Sequence, residues 1–205
     1  MRLLLVLGVV ASSVVFASPI PFTGTLGDGF DTHDLFLSGP GFLFQSVQNE
    51  GANLWSCSGS CNLSETFDAT GSLFSGYVAS YNGQTVSGGG TQANGTIGGH
   101  LSLEIPAFPL SECGTAALPY GCPTLPVAFS GDLFARFPDG TLLFDFPVSG
   151  TGTVTPEPLP RFVGINAINA RLTGSADPTP EPAAWMLLAT ALPLLGGLKR
   201  LIRKG

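Results

Sequence analysis

The 205-residue chain is poor in positive charge outside its two ends. Between residues 18 and 179 there is no lysine, and three arginines, Arg136, Arg161 and Arg171, stand against thirteen acidic residues, a net charge of −10. Phosphate backbones and anionic lipid surfaces repel such a segment. The composition therefore excludes nucleic acid as a partner, and the acidity is of a kind that keeps an exported protein soluble.

Catalytic motifs are also missing. The sequence has no G-x-S-x-G, H-E-x-x-H, P-loop or dinucleotide fingerprint. His33 and His100 are the two histidines that could serve as the base of a nucleophilic triad, and His100 begins an alternating segment in which it faces solvent. We predict no catalytic residue and no cofactor. A secreted hydrolase stays an open alternative, because the separation of two catalytic carboxylates depends on the fold.

One short segment gathers possible metal ligands. It contains Asp28, Asp31, His33 and Asp34. Oxygen ligands at this density suit Ca²⁺, although the spacing is not that of an EF-hand loop. A solvated turn is the other interpretation, and we predict no metal site.

The amino terminus is typical of a secretory signal peptide. Met1-Arg2 is a basic start, residues 3–16 are mainly apolar, and Ala17 is the small residue that signal peptidase requires. We predict a signal-peptide helix over residues 1–17, export by the Sec machinery and cleavage between Ala17 and Ser18.

The carboxyl terminus combines three signals in order. Pro180-Glu181-Pro182 precedes an apolar run over residues 183–198, and a basic end over 199–205 follows it. The cations of that end are Lys199, Arg200, Arg203 and Lys204. The run is slightly short for a hydrocarbon core, but the long stems of the cations extend it and keep this end in the cytoplasm. We predict a transmembrane helix over 183–198. A buried helix of a soluble domain is the alternative, and the absence of a polar face opposes it.

These two termini together resemble those of the PEP-CTERM sorting-domain proteins of Gram-negative bacteria. The resemblance implies that an exosortase-type transpeptidase recognises the motif at 180–182 and processes the tail. It further implies a surface or extracellular-matrix location, with exopolysaccharide as a possible partner, and it assigns no activity to the domain upstream. A second triplet, Pro156-Glu157-Pro158, lacks a following apolar run and is predicted to be a turn or loop.

The remaining residues predict an all-β domain over 18–174, followed by a proline-rich linker over 175–182. Glycine, serine, threonine and phenylalanine dominate short alternating runs. Inward positions are expected at 101, 103 and 105, and at 142, 144, 146 and 148. Other strands are expected at 22–26, 35–37, 42–47, 73–79, 127–130, 133–137, 162–165 and 167–172. Turns are expected at Asn82-Gly83, Asn94-Gly95 and Asp139-Gly140. A β-sandwich or barrel of many short antiparallel strands follows.

The four cysteines form two closely spaced pairs in the sequence, Cys57 with Cys61 and Cys113 with Cys122. Export places them in an oxidising compartment, so we predict two local disulfides. A zinc site is the alternative, and the missing C-x2-C spacing opposes it.

Three functions remain open from the residues alone. The first is a displayed structural protein of the cell surface or matrix. The second is a carbohydrate-binding module, with Trp55, Tyr77, Tyr81 and Tyr120 as candidate aromatic platforms. The third is the secreted hydrolase, which needs convergent acidic side chains in a deep cleft.

Overall fold

The computed structural model describes residues 18–29, 33–48, 55–57, 59–61, 63–68, 76–89, 92–114, 121–159 and 164–178. All of them belong to one compact unit, Ser18–Thr179. The predicted signal peptide with Ala17, and the predicted sorting motif, membrane segment and basic end at 180–205, lie outside the described residues. Ser18 is described and exposed. In the described ranges, no helix has the length and apolar character needed to cross a membrane.

The described residues contain fourteen strands and one 3-10 turn, Leu110–Glu112. The strands are β1 Ile20–Asp28, β2 His33–Gly39, β3 Phe42–Gln48, β4 Trp55–Ser56, β5 Ser60–Cys61, β6 Ser64–Asp68, β7 Gly76–Tyr81, β8 Gln84–Gly89, β9 Gln92–Asn94, β10 Thr96–Glu104, β11 Phe108–Pro109, β12 Leu125–Arg136, β13 Leu142–Pro158 and β14 Gly164–Ala176.

Twelve strands form one antiparallel sheet. Its order is β6-β10-β12-β13-β14-β1-β2-β3-β7-β8-β9, with β4 beside β14, while β5 and β11 pair separately. The sheet curls into a half-barrel, and the last strands of its order approach the first. The Tyr77 hydroxyl on β7, for example, donates a hydrogen bond to the Gly95 carbonyl just before β10, at 2.6 Å. The prediction of an all-β antiparallel domain is confirmed.

Several strands are longer than the sequence predicted. One strand, β12, joins the two runs predicted at 127–130 and 133–137 and ends at Arg136, and β14 continues through the run at 167–172 to Ala176. Gly131 lies between the two runs of β12, where a Cβ would overlap the His100 carbonyl oxygen of β10. A glycine that looks like a break in the pattern is therefore the residue that lets two strands approach closely.

Alternating side chains point into the curl and form the core. Leu101, Leu103 and Ile105 are buried as predicted. On β13, Phe144, Phe146 and Val148 are buried, but Leu142 is 47% exposed and Leu143 is buried instead. The register between β12 and β13 shifts at Ala135/Arg136. Because a bulge adds a residue on one strand, the alternation changes phase, and the prediction for Leu142 is wrong.

The prediction of a loop at Pro156-Glu157-Pro158 is also wrong. These residues end β13 and pair with β14, Pro156 lying opposite Ile168. Proline is tolerated at the edge of a sheet, where its missing N–H leaves no ladder bond unmade. β12 stops pairing at Leu125, opposite Val154, so β13 has a free side from Thr155 onward in the described part of the sheet.

Two of the three predicted turns connect paired strands, and the third is a bend. Asn82 and Gly83 both have positive φ, 48° and 80°, and join β7 to β8 as a tight hairpin. Asp139-Gly140 forms the turn between β12 and β13, where the Asp139 carboxylate accepts a hydrogen bond from the Thr141 N–H at 2.9 Å. Asn94-Gly95 is a bend between strands that pair with different partners, β9 with β8 and β10 with β12.

Candidate functional site

The four cysteines are paired as predicted. Cys57 is bonded to Cys61 and Cys113 to Cys122, which leaves no free cysteine in the chain. Cys61, Cys113 and Cys122 are buried and belong to the hydrophobic core. Each bridge closes a short local loop, one beside β5 and the other just after the 3-10 turn.

The acidic segment around His33 is not simply a solvated turn. Asp28 ends β1, His33 begins β2, and the two are register partners. Both are buried, with His33 Nε2 3.1 Å from Asp28 Oδ1, and the His33 ring lies 6.5 Å from that of Phe67 across the curl. Asp31 lies outside the described residues. Among those described, no three ligand side chains lie close enough to hold a metal ion.

The second histidine lies in the open, as predicted. His100 Nδ1 on β10 is 2.6 Å from Asp132 Oδ1 on β12, and both side chains are about half exposed. Asp68 of β6 is the register partner of His100 on its other side. The pair stands on the solvent side of a continuous sheet, so water has free access to it.

The aromatic residues proposed as sugar platforms are used for packing. Tyr77 is buried. Tyr81 is half-buried, with its ring 4.9 Å from Phe146 in an edge-to-face contact, and Trp55 packs against the core. Tyr120 lies outside the described residues. The described aromatic candidates therefore pack against the protein itself, and none of the three is an exposed ring.

The outer face of the sheet, the side away from the core, is rich in hydroxyl groups. Ser175, Ser149, Ser130, Ser102 and Thr66 are register neighbours in one row across five strands, β14, β13, β12, β10 and β6. Thr23, Thr173 and Thr151 form a parallel row on β1, β14 and β13. Along their strands these side chains alternate with inward-facing positions.

A depression of about 610 Å³ interrupts this outer face. We call it the Gly27 cleft; its lining is Thr25, Leu26, Gly27, Asp34, Thr124, Thr153, Thr155, Asn169, Ala170 and Arg171. Of these, Leu26 and Ala170 are buried residues that contribute from beneath.

Two rows of the register build the cleft across β2, β1, β14 and β13. The first row is Phe36, Thr25, Arg171 and Thr153. The second row is Asp34, Gly27, Asn169 and Thr155. Neighbours within a row have Cβ atoms about 5 Å apart, and the rows are about 7 Å apart along the strands. Gly27 is the one position in this grid without a side chain, so it forms the floor.

Hydrogen bonds hold one wall of the cleft in place. Asn169 Nδ2 donates to Glu157 Oε1 at 2.6 Å, and the Thr124 and Thr155 hydroxyls are 2.9 Å apart. With its nitrogen engaged by Glu157, the Asn169 amide presents its oxygen toward Gly27: a Cβ on Gly27 would lie 3.7 Å from Asn169 Oδ1. The wall therefore offers an acceptor directly above the floor.

The charged side chains that line the cleft are those of Arg171 and Asp34, and Glu157 adds a second carboxylate through its contact with Asn169. Asp34 stays in contact with solvent, but partial loss of hydration raises the pKa of its carboxyl, an effect that the nearby His33 opposes. The ion pairs of the described residues are Asp28–His33 and Asp132–His100, so Arg171 has no carboxylate partner among them. The lining of the cleft thus combines hydroxyls, an amide, one donor-only and one acceptor-only group.

The sequence did not predict this cleft. Thr25, Gly27, Asn169 and Arg171 carry no motif, and their juxtaposition depends on the pairing of β1 with β14, more than 140 residues apart. The signal that was present is Arg171 itself, one of only three cations in the body of the chain.

Comparisons with known proteins identify no relative. No family model, no curated protein and no solved structure matches this chain.

Proposed function

We propose that the protein is exported and displayed at the cell surface or in the extracellular matrix, with its β-domain in a structural role and its tail as a sorting signal. The pairing of all four cysteines carries the proposal. Disulfides persist in oxidising compartments and are rare in cytosolic proteins.

The composition of the domain supports the same conclusion. A lysine-free, acidic β-domain with a hydroxyl-covered outer face stays soluble at high local concentration, as a displayed protein must. The proposed sequence of events is Sec-dependent export, cleavage after Ala17, retention through residues 183–198, and processing at Pro180-Glu181-Pro182 by an exosortase-type transpeptidase.

The proposal is tested by the intact mass and location of the native protein. A variant with residues 180–182 replaced by alanine is compared with one in which 177–179 are replaced, in cells with and without the transpeptidase. We expect loss of the tail in the wild type and the 177–179 control, and retention in the 180–182 variant and in cells without the enzyme. An uncut tail in every strain overturns the sorting role and leaves a simple membrane anchor. A protein retaining residues 1–17 overturns cleavage after Ala17, and a domain found in the cytoplasm overturns export.

Glycan binding is the second candidate function. The Gly27 cleft favours it, because its lining is polar and mostly uncharged, whereas Trp55, Tyr77 and Tyr81 are packed into the fold.

A further inference from the structure

We infer that the Gly27 cleft binds a neutral glycan, that is, a chain of uncharged sugar residues. The inference deepens the proposed role at the cell surface and rests on it only for the place where protein and glycan meet. Binding itself is a property of the cleft and can be measured on the isolated protein.

The hydroxyl groups of the cleft match a polyhydroxylated ligand. Thr25 and Thr153 flank Arg171 in one row, and Thr155 lies beside Asn169 in the next. A threonine hydroxyl both donates and accepts hydrogen bonds, and so does each hydroxyl of a sugar. Such a set adapts to many sugar orientations. An ionised phosphate or carboxylate ligand only accepts hydrogen bonds, so it would donate none to the threonine oxygens.

The floor of the cleft allows a sugar ring to approach the backbone. Gly27 has no side chain, and a Cβ there would meet only Asn169 Oδ1, at 3.7 Å. The same oxygen is an acceptor aimed across the floor, because Glu157 engages the amide nitrogen. A ligand hydroxyl that enters above Gly27 therefore finds a fixed acceptor beside it.

The charges favour an uncharged glycan over an acidic one. Arg171 is a donor without an ion-pair partner in the described residues, and Asp34 is an acceptor two strands away. Together with Glu157 on the wall, these groups leave the site without an excess of positive charge. The domain around them carries a net charge of −10 from its three arginines and thirteen acidic residues, which opposes the approach of a polyanion.

An aromatic ring stands at the end of the first row. Phe36 lies opposite Thr25 and is 40% exposed, one of two large apolar side chains on the described surface that are this accessible. A flat apolar ring beside polar groups suits the C–H face of a sugar.

The test uses the full chain, with its disulfides intact, in mild detergent. Binding is measured by affinity electrophoresis and calorimetry against an array of soluble neutral glycans that includes α- and β-glucans, with alginate as the acidic comparison. We expect saturable binding of a neutral glycan and no preference for alginate.

Two double variants locate the site. Thr25→Val with Thr153→Val removes two hydroxyls inside the cleft, and Thr23→Val with Thr151→Val removes two from the same strands and the same face, two residues outside it. We expect the first to weaken binding about tenfold or more and the second to leave it unchanged. Gly27→Val, which fills the floor, is expected to abolish binding while the far-ultraviolet spectrum and the unfolding midpoint are retained.

Three outcomes overturn the inference: no binding across the neutral array, equal loss in both double variants, or tighter binding of alginate than of any neutral glycan. None of them depends on tail processing. A failure of the sorting proposal leaves these measurements untouched, and the reverse also holds.

Discussion

Glycines have opposite surroundings on the two faces of the curled sheet. On the inner face, glycines at Gly150 and Gly174 are covered: Cζ of Phe129 lies 2.8 Å from the place where a Cβ would stand on each. On the outer face, Gly27 is uncovered and forms the floor of a cleft. The two inner glycines therefore make room for a ring of the protein itself, whereas the space above Gly27 is left unfilled.

The inner arrangement can be followed along one row of the register. Phe129, Gly150, Gly174 and Phe22 are successive neighbours on β12, β13, β14 and β1. The two rings reach over the glycines from both sides and come within 6.0 Å of each other, centroid to centroid. The space above the glycine pair is filled, which keeps the core close-packed where two strands carry no side chain.

The largest difference in the free energy of unfolding is expected between a phenylalanine of the inner face and one of the outer face. Phe129→Ala removes the ring that covers both glycines and is expected to cost about 3–5 kcal/mol in the free energy of unfolding. Phe36→Ala, on the outer face of the same sheet, is expected to cost less than about 1 kcal/mol. Urea unfolding of the oxidised protein measures both, and similar losses in the two variants contradict the distinction between the faces.

A smaller effect is expected from the glycines. Gly174→Ala places a Cβ against Ser149 backbone oxygen and the Phe129 ring, so we expect destabilisation of about 1–3 kcal/mol. Gly27→Ala meets nothing closer than 3.7 Å and is expected to be neutral or to stabilise by about 0.4–1 kcal/mol, because alanine lowers the entropy of the unfolded chain. Thermal and urea denaturation compare the pair; a strongly destabilised Gly27→Ala protein would mean that the floor of the cleft is structural.

The smallest effect is a pH dependence at the rim of the cleft. The folded state raises the pKa of Asp34, so its contribution to stability is full below the unfolded value of 3.8 and falls as the pH rises through the raised folded value. The Asp34→Asn variant has no carboxyl group at this position, so its stability does not fall in this way. We expect the variant to gain stability relative to the wild type as the pH increases from 3 toward neutrality.

Asp139→Asn is the matched control for that slope. The hydrogen bond from Thr141 lowers the pKa of Asp139. Its contribution is therefore present above 3.8 and lost as the pH falls through the lowered folded value. The difference between variant and wild type should have the opposite sign to that of Asp34→Asn. Difference curves from urea titrations at several pH values check this, and two curves of the same sign would contradict the assignment of Asp34 to a partly desolvated rim.

Much of the fold could be predicted because its signals are local. Alternation placed Leu101, Leu103 and Phe144 in the core, and Asn82-Gly83 marked a hairpin. Where a local rule failed, a distant partner was the reason. Leu142 changed face because of a shift in pairing with β12, and Pro156 entered a strand because β12 ends before reaching it.

The candidate site was hidden from the sequence for the same reason. His33 and Asp28 were visible as a cluster because they are near in sequence, and they proved to be a buried pair. Arg171 and Thr25 become neighbours only when the last strand of the domain pairs with the first. No motif encodes such a juxtaposition, because each strand carries only its own half of the contact.

The sequence by itself determined the all-β class, the pairing of nearby cysteines and the alternation of core and surface side chains, since these follow from period, spacing and turn chemistry within a few residues. Tertiary structure alone decided the curl of the sheet, the register of its rows and the position of the Gly27 cleft. Register depends on which strands meet and how they slide, and a shift of one residue would turn every side chain to the other face.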